Sequence, residues 1–179
     1  MVKIGNKNMK IKTCLFIAFF LFALAACSKD TNLPASIETP LGTFSSCGTG
    51  EETWGYNYIF ERDGKEAALF AMFTPGSVGK KDVEKMLKLL QKFYSNLPDA
   101  EKNIISYAAK NAADGEYENV IMNTGRVYCI SYYQEEKAKD ANMVYSLVTE
   151  EHIRGCDFVQ VYSDFKGNLE SASLVGFQD

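Results

Sequence analysis

The sequence predicts an α+β fold: a single domain in which a largely antiparallel β-sheet of about seven strands carries a helical hairpin on one face. Three observations predict it. Residues 54–61 alternate with period two ahead of an Asp63-Gly64 turn and an apolar return strand, residues 80–112 switch to a helical period, and the chain after Gly115 reads as strand. The order ββ-αα-βββββ segregates helices from strands, the pattern of an antiparallel sheet covered on one side and partly solvated on the other.

In the first hairpin, Trp54, Tyr56, Tyr58 and Phe60 fall on one face and Gly55, Asn57, Ile59 and Glu61 on the other. Asp63-Gly64 suits a two-residue type I′ turn, which needs positive φ at both positions. The return strand, 65–73 (KEAALFAMF), is apolar on both faces and so belongs at the centre of its sheet. Thr74-Pro75-Gly76 breaks it. Val83, Met86, Leu87, Leu90, Phe93, Tyr94 and Leu97 then form an amphipathic stripe over roughly 80–96. Pro98 pushes Leu97 out of the α region and suits the first position of a second helix, with Asp99 and Glu101 at its positive end. Ile104, Ile105, Ala108, Ala109 and Ala112 make that helix's buried stripe, and Asp114-Gly115 ends it. Strands are expected at 116–123, 126–134, 142–149, 157–163 and 169–177. Asn123-Thr124-Gly125 and Asp164 to Asn168 are their hairpin connections, and the charged run Glu135 to Asp140 is a solvated loop.

Ahead of this domain (49–179) the chain has a different character. Lys3, Lys7, Lys10 and Lys12 form a basic start, followed by Cys14 to Ala26, CLFIAFFLFALAA, 13 uncharged residues. A spanning helix needs about 20 apolar residues, so this run suits the core of a signal peptide, residues 1–26. Its end, Leu24-Ala25-Ala26-Cys27, resembles the lipobox of bacterial lipoproteins. The resemblance covers residues 1–27 only. It implies a diacylglyceryl group on the Cys27 thiol, cleavage before Cys27 and an acyl chain such as palmitate on the new amino terminus. Several acyl chains hold a protein stably on a membrane, at about 0.8 kcal/mol per buried CH₂. Ser28, where retention in the inner membrane uses Asp, implies the periplasmic side of the cell outer membrane in an enteric-type host. Residues 28–48, with Pro34, Pro40 and several Ser and Thr, read as a flexible tether behind the lipidated Cys27.

Removing the signal takes four lysines, leaving 15 Lys and Arg against 23 Asp and Glu, a net charge of −8. Such a domain has no electrostatic footprint for nucleic acid and would suit a basic protein partner. Cys47, Cys129 and Cys156 remain in a compartment that permits disulfides. Cys129 sits mid-strand as a small hydrophobe, so the expected bridge is Cys47–Cys156, worth about 4.7 kcal/mol in the chain-entropy model.

Chemistry is sparse. The one histidine, His152, lies near Glu150, Cys156 and Asp157, but a zinc site takes three or four well-spaced N/S ligands and this stretch has one His and one Cys. His152 would have to serve any Ser45, Ser46, Cys47 or Cys129 nucleophile, and no Gly-x-Ser-x-Gly elbow exists. The pairs Glu51-Glu52, Glu135-Glu136 and Glu150-Glu151 read as solvated surface rather than glycosidase carboxylates. Cys47-Gly48-Thr49-Gly50 lacks the lysine of a phosphate loop. No metal, cofactor or enzymatic activity is expected.

The remaining signal is aromatic. Tyr128, Tyr132, Tyr133, Tyr145 and Tyr162 all fall on expected strands, and an apolar ring with a polar tip suits a half-buried interface. Tyr132 and Tyr133 must point to opposite faces of a regular strand. At least one of the two therefore leaves the core, and these five are the candidates for a binding face of Tyr and acidic residues on the uncovered side of the sheet. The expected role is non-enzymatic protein binding at the membrane, by analogy with small envelope lipoproteins an immunity-type inhibitor of a periplasm-acting toxin. The alternative is envelope assembly or small-ligand binding in an apolar groove between sheet and helices.

Overall fold

The computed structural model describes residues 33–48, 54–74, 78–112, 116–134, 142–150, 153, 156 and 158–176. The signal segment, Cys27, His152 and the acidic pairs at 51–52 and 135–136 lie outside the described residues. The chain forms β1 (Ser36–Thr39), β2 (Gly42–Gly48), β3 (Trp54–Arg62), β4 (Lys65–Phe73), α1 (Lys80–Ala112), α2 (Glu116–Thr124), β5 (Arg126–Gln134), β6 (Asn142–Val148), β7 (Phe158–Ser163) and β8 (Leu169–Val175). All eight strands make one sheet in sequence order. Every neighbouring pair is antiparallel except β4 and β5, which run parallel because the two helices cross between them. The apolar β4 is thus central, and the Asp63-Gly64 turn forms with φ of 51° and 72°.

Both helices pack on one face of the sheet. Val83, Leu87, Leu90, Ile104 and Ala108 of α1 and Ile121 of α2 join Phe44, Tyr56, Leu69, Phe73, Ile130, Met143, Leu147, Val159 and Val161 in a single buried cluster. Inward residues alternate along each strand, as period two requires.

Four expectations need correction. First, Pro98 does not divide two helices; α1 is one helix of 33 residues with Pro98 inside it. The buried stripe explains why: Leu97 and Ile104 lie seven residues, two turns, apart, so the apolar face stays in phase through the proline. Packing on both sides outweighs a penalty of about 3 kcal/mol. Second, residues 116–123 are not a strand. Tyr117, Val120, Ile121 and Thr124 recur at helical spacing in α2, and Ile121 is fully buried against the cluster. The helical hairpin is therefore 33 residues against nine, and Asn123 to Gly125 is a helix exit rather than a β-turn.

Third, residues 36–48 are not tether. Ile37 and Phe44 face the core from β1 and β2, with Phe44 fully buried. Pro40 sits in the turn between the strands, where the Thr39 hydroxyl donates to the Gly42 carbonyl oxygen at 2.8 Å. This pair brings the sheet to eight strands after the loss of 116–123.

Fourth, Cys47 and Cys156 are not bridged; both are thiols, as is Cys129. Cys47 is on β2 and Cys156 immediately precedes β7, five strand positions away at about 4.8 Å each. A disulfide needs Cα atoms within about 7 Å. The Cys156 thiol donates instead to the Phe158 carbonyl oxygen at 3.0 Å. Mass mapping without reductant should recover all three domain cysteines as thiols; a 47–156 bridged peptide would contradict the sheet order.

Candidate binding face

The registers run one row of side chains across the whole sheet on the face away from the helices, with Asn57, Phe70 and Val144 buried and Ser36, Ser45 and Ser171 exposed. Ser36, Ser45, Asn57, Phe70, Ser131, Val144, Tyr162 and Ser171 are successive cross-strand partners from β1 to β8. A second row follows as Ile59, Ala68, Cys129, Ser146, Gln160 and Ser173, and Met72 pairs with Tyr133 beyond the first. None of these residues is charged. The acid lies at one end, where Glu61 and Glu66, both exposed, sit directly opposite each other. Like charges in that position repel. Among the described residues, both helices lie on the other side of the sheet.

Only two of the five candidate tyrosines belong to this face. Tyr133 is 37% exposed and Tyr162 half-buried, its hydroxyl donating to Gln160 Oε1 at 2.8 Å. Tyr145 is instead part of the helix-side core, 3% exposed, with its ring 6.2 Å from that of Phe93. Met143, Tyr145 and Leu147 are the inward set of β6, and burial pushes the Tyr145 hydroxyl up to about 12. Tyr132 also lies on the helix side, stacked on Phe165 at 5.2 Å. Its hydroxyl is raised by burial first and then by the carboxylate of Asp82. Tyr128 turns to the rim of the helix side, where the Lys65 ammonium sits 5.4 Å from its ring centre. It shares the alternation of Ile130 and Tyr132, which face the helices, and the β-bulge between Val127 and Cys129 lets Val127 join the core as well. Sequence reasoning missed Asn57, Phe70, Met72 and Ser131. The two-faced apolar pattern of β4 was the available signal for Phe70 and Met72.

The thiols on this face are poor nucleophiles. Burial pushes Cys47 up to about 12. Cys129, though the residue is only half-buried, is raised to about 11 by burial, partly offset by hydrogen bonds from the serines at 131 and 146. A reactive cysteine has a depressed value. Folding therefore disfavours both thiolates. The associated stability is fully present below pH 9.0, the ordinary thiol value, and is lost as pH rises toward the folded-state values. Alkylation at pH 8 should leave both intact in the native chain and modify both in urea. Rapid native labelling would contradict this placement.

Among the described residues, a hollow between α1 and the sheet, bordered by Phe60, Tyr94, Leu97 and Ile130, has no room for a water molecule. Among the described residues no three His, Cys, Asp or Glu side chains gather as a metal site, and no helix is long and apolar enough to cross a membrane. Comparison of the chain with protein-family models, curated proteins and solved structures finds no match in any of the three.

Proposed function

We propose that this chain is a lipid-anchored envelope protein whose open sheet face binds a protein partner, without catalysis. In this reading it is cut before Cys27, carries diacylglycerol and palmitate there, and faces the periplasm from the outer membrane. The observation that carries the binding role is the set of uncharged cross-strand rows on which Ile59 and Tyr133 are exposed and Tyr162 is half-buried, with the buried Phe70 and Val144 beneath them. Interface cores are depleted in charge and enriched in tyrosine. The net charge of −8 left after signal removal favours a basic partner arriving over the acidic Glu61–Glu66 end. An immunity-type inhibitor of a periplasm-acting toxin fits an anchored binder of this kind.

Deleting the chain should make its host sensitive to a toxin delivered by sibling cells, and re-expression should restore survival. A Tyr133→Ser/Tyr162→Ser variant should lose affinity for the captured partner by about tenfold or more, since interface tyrosines are each worth over ~1 kcal/mol. Its melting temperature should stay close to that of the parent, because neither ring belongs to the core cluster. Undiminished binding by this variant would move the interface off the open face. Full survival of the deletion strain under challenge would remove the immunity role.

A further inference from the structure

The anchor leash is short, and its attachment point is fixed. Leu33 packs against the core cluster. The Tyr56 hydroxyl donates to the Pro34 carbonyl oxygen at 2.5 Å, and the Ser46 amide to the Ala35 carbonyl oxygen at 2.8 Å. Only residues 28–32 separate Cys27 from this seam. Their contour allows about 20 Å at full extension, less than the length of β3.

The strand directions place several groups at the same end of the sheet as Pro34. β1 begins there and β2 ends there; β4 and β5 both end there, and β8 begins there. The first turn of α1, with exposed Lys80, Lys81 and Asp82, follows β4 at that end, and the Asp164–Asn168 turn, with exposed Lys166, follows β7 there. The stack of Tyr132 near the end of β5 on Phe165 of that turn confirms the shared location. At the opposite end lie the Asp63-Gly64 turn and the Glu61–Glu66 pair, about 27 Å away along the nine residues of β3.

We propose that this geometry orients the domain on its own membrane. The Pro34 end, held close by the short leash, faces the lipid headgroups, and the Glu61–Glu66 end points into the aqueous compartment. The open face then stands edge-on to the bilayer, reachable by a partner from the side. The inference rests on the lipid anchor proposed above and adds the surface through which the domain meets the membrane. The short leash carries the orientation, since both ends of the sheet hold charges of each sign.

The test uses the full lipidated chain on phosphatidylethanolamine–phosphatidylglycerol vesicles carrying a headgroup quencher. A fluorophore is placed on Lys80→Cys or on Glu66→Cys, both exposed positions. Quenching should be about fivefold stronger at position 80, given the strand length between the two ends. Inserting about 12 Gly and Ser residues after Thr31 should abolish the difference while the chain still floats with the vesicles. Equal quenching at both sites in the uninserted, floating chain, or stronger quenching at 66, would overturn the orientation alone. Failure of the parent chain to float, matching Cys27→Ser, would overturn the anchor and the orientation together.

Discussion

Gly55→Ala is expected to destabilise the domain by about 3 kcal/mol, lowering its melting temperature by roughly 6–12 °C for a chain of this size. Gly55 opposes Met72 across the β3–β4 ladder. A Cβ added there would come within 2.2 Å of the Ala71 carbonyl oxygen and 3.2 Å of the Met72 Cα. Both are backbone atoms, so no side chain can swing away. The strands would have to part where Trp54 meets Phe73 and Tyr56 meets Ala71, in the most apolar part of the sheet. Gly64→Ala is the control. A Cβ at Gly64 meets nothing within 4 Å, and its φ of 72° is the sole penalty, about 1 kcal/mol. Equal losses for the two variants would show that close strand approach is not what selects glycine at 55.

The second large effect is expected at the lock joining β3, α1 and β5. The Arg62 guanidinium donates through Nη2 to Glu101 Oε2 at 2.6 Å and through Nη1 to the Val127 carbonyl oxygen at 2.6 Å. The Val127 amide closes the ring by donating to Glu101 Oε1 at 2.9 Å. The two side chains are only 20% and 15% exposed, so neither is an ordinary surface ion. Glu101→Ala strands both the guanidinium and the Val127 N–H, at a cost of about 2–3 kcal/mol after allowing for the remaining solvent access. Arg62→Ala should cost a similar amount. The double variant should fall short of the sum by about 1–2 kcal/mol, because each single change already breaks the shared ring. Urea melts of the four proteins measure this directly. Strict additivity would mean that the three groups do not act together.

The first hairpin and β5 to β8 were legible because turn chemistry and period two agreed there. Asp63-Gly64 named its own turn type, and Tyr132 and Tyr133 do part to opposite faces. What misled were local signals outweighed by packing. Pro98 is a sound stop signal, but Leu97 and Ile104 keep one stripe buried across it. In α2 the run Val120-Ile121 has β-branched character, yet only a helix brings Tyr117, Val120 and Ile121 together on the core. The prolines and hydroxyl residues of 34–46 concealed two strands whose only strong apolar anchors are Ile37 and Phe44. The binding face was half legible for a related reason. Sheet registers decide which residues share a row, and Tyr128 goes with Tyr132 to the helix side because the two share one alternation. Tyr145 was misplaced because strand alternation alone does not say which set faces the helices.

The proposed placement at the membrane depends on an anchor at Cys27, and one measurement tests that proposal most directly: the intact mass of the chain extracted from its host's membranes. The account predicts a polypeptide beginning at Cys27 and carrying a diacylglyceryl group and an amide-linked acyl chain, with the mass of Cys27→Ser showing neither. An unmodified chain in the soluble fraction, or one beginning at any other residue, would contradict it.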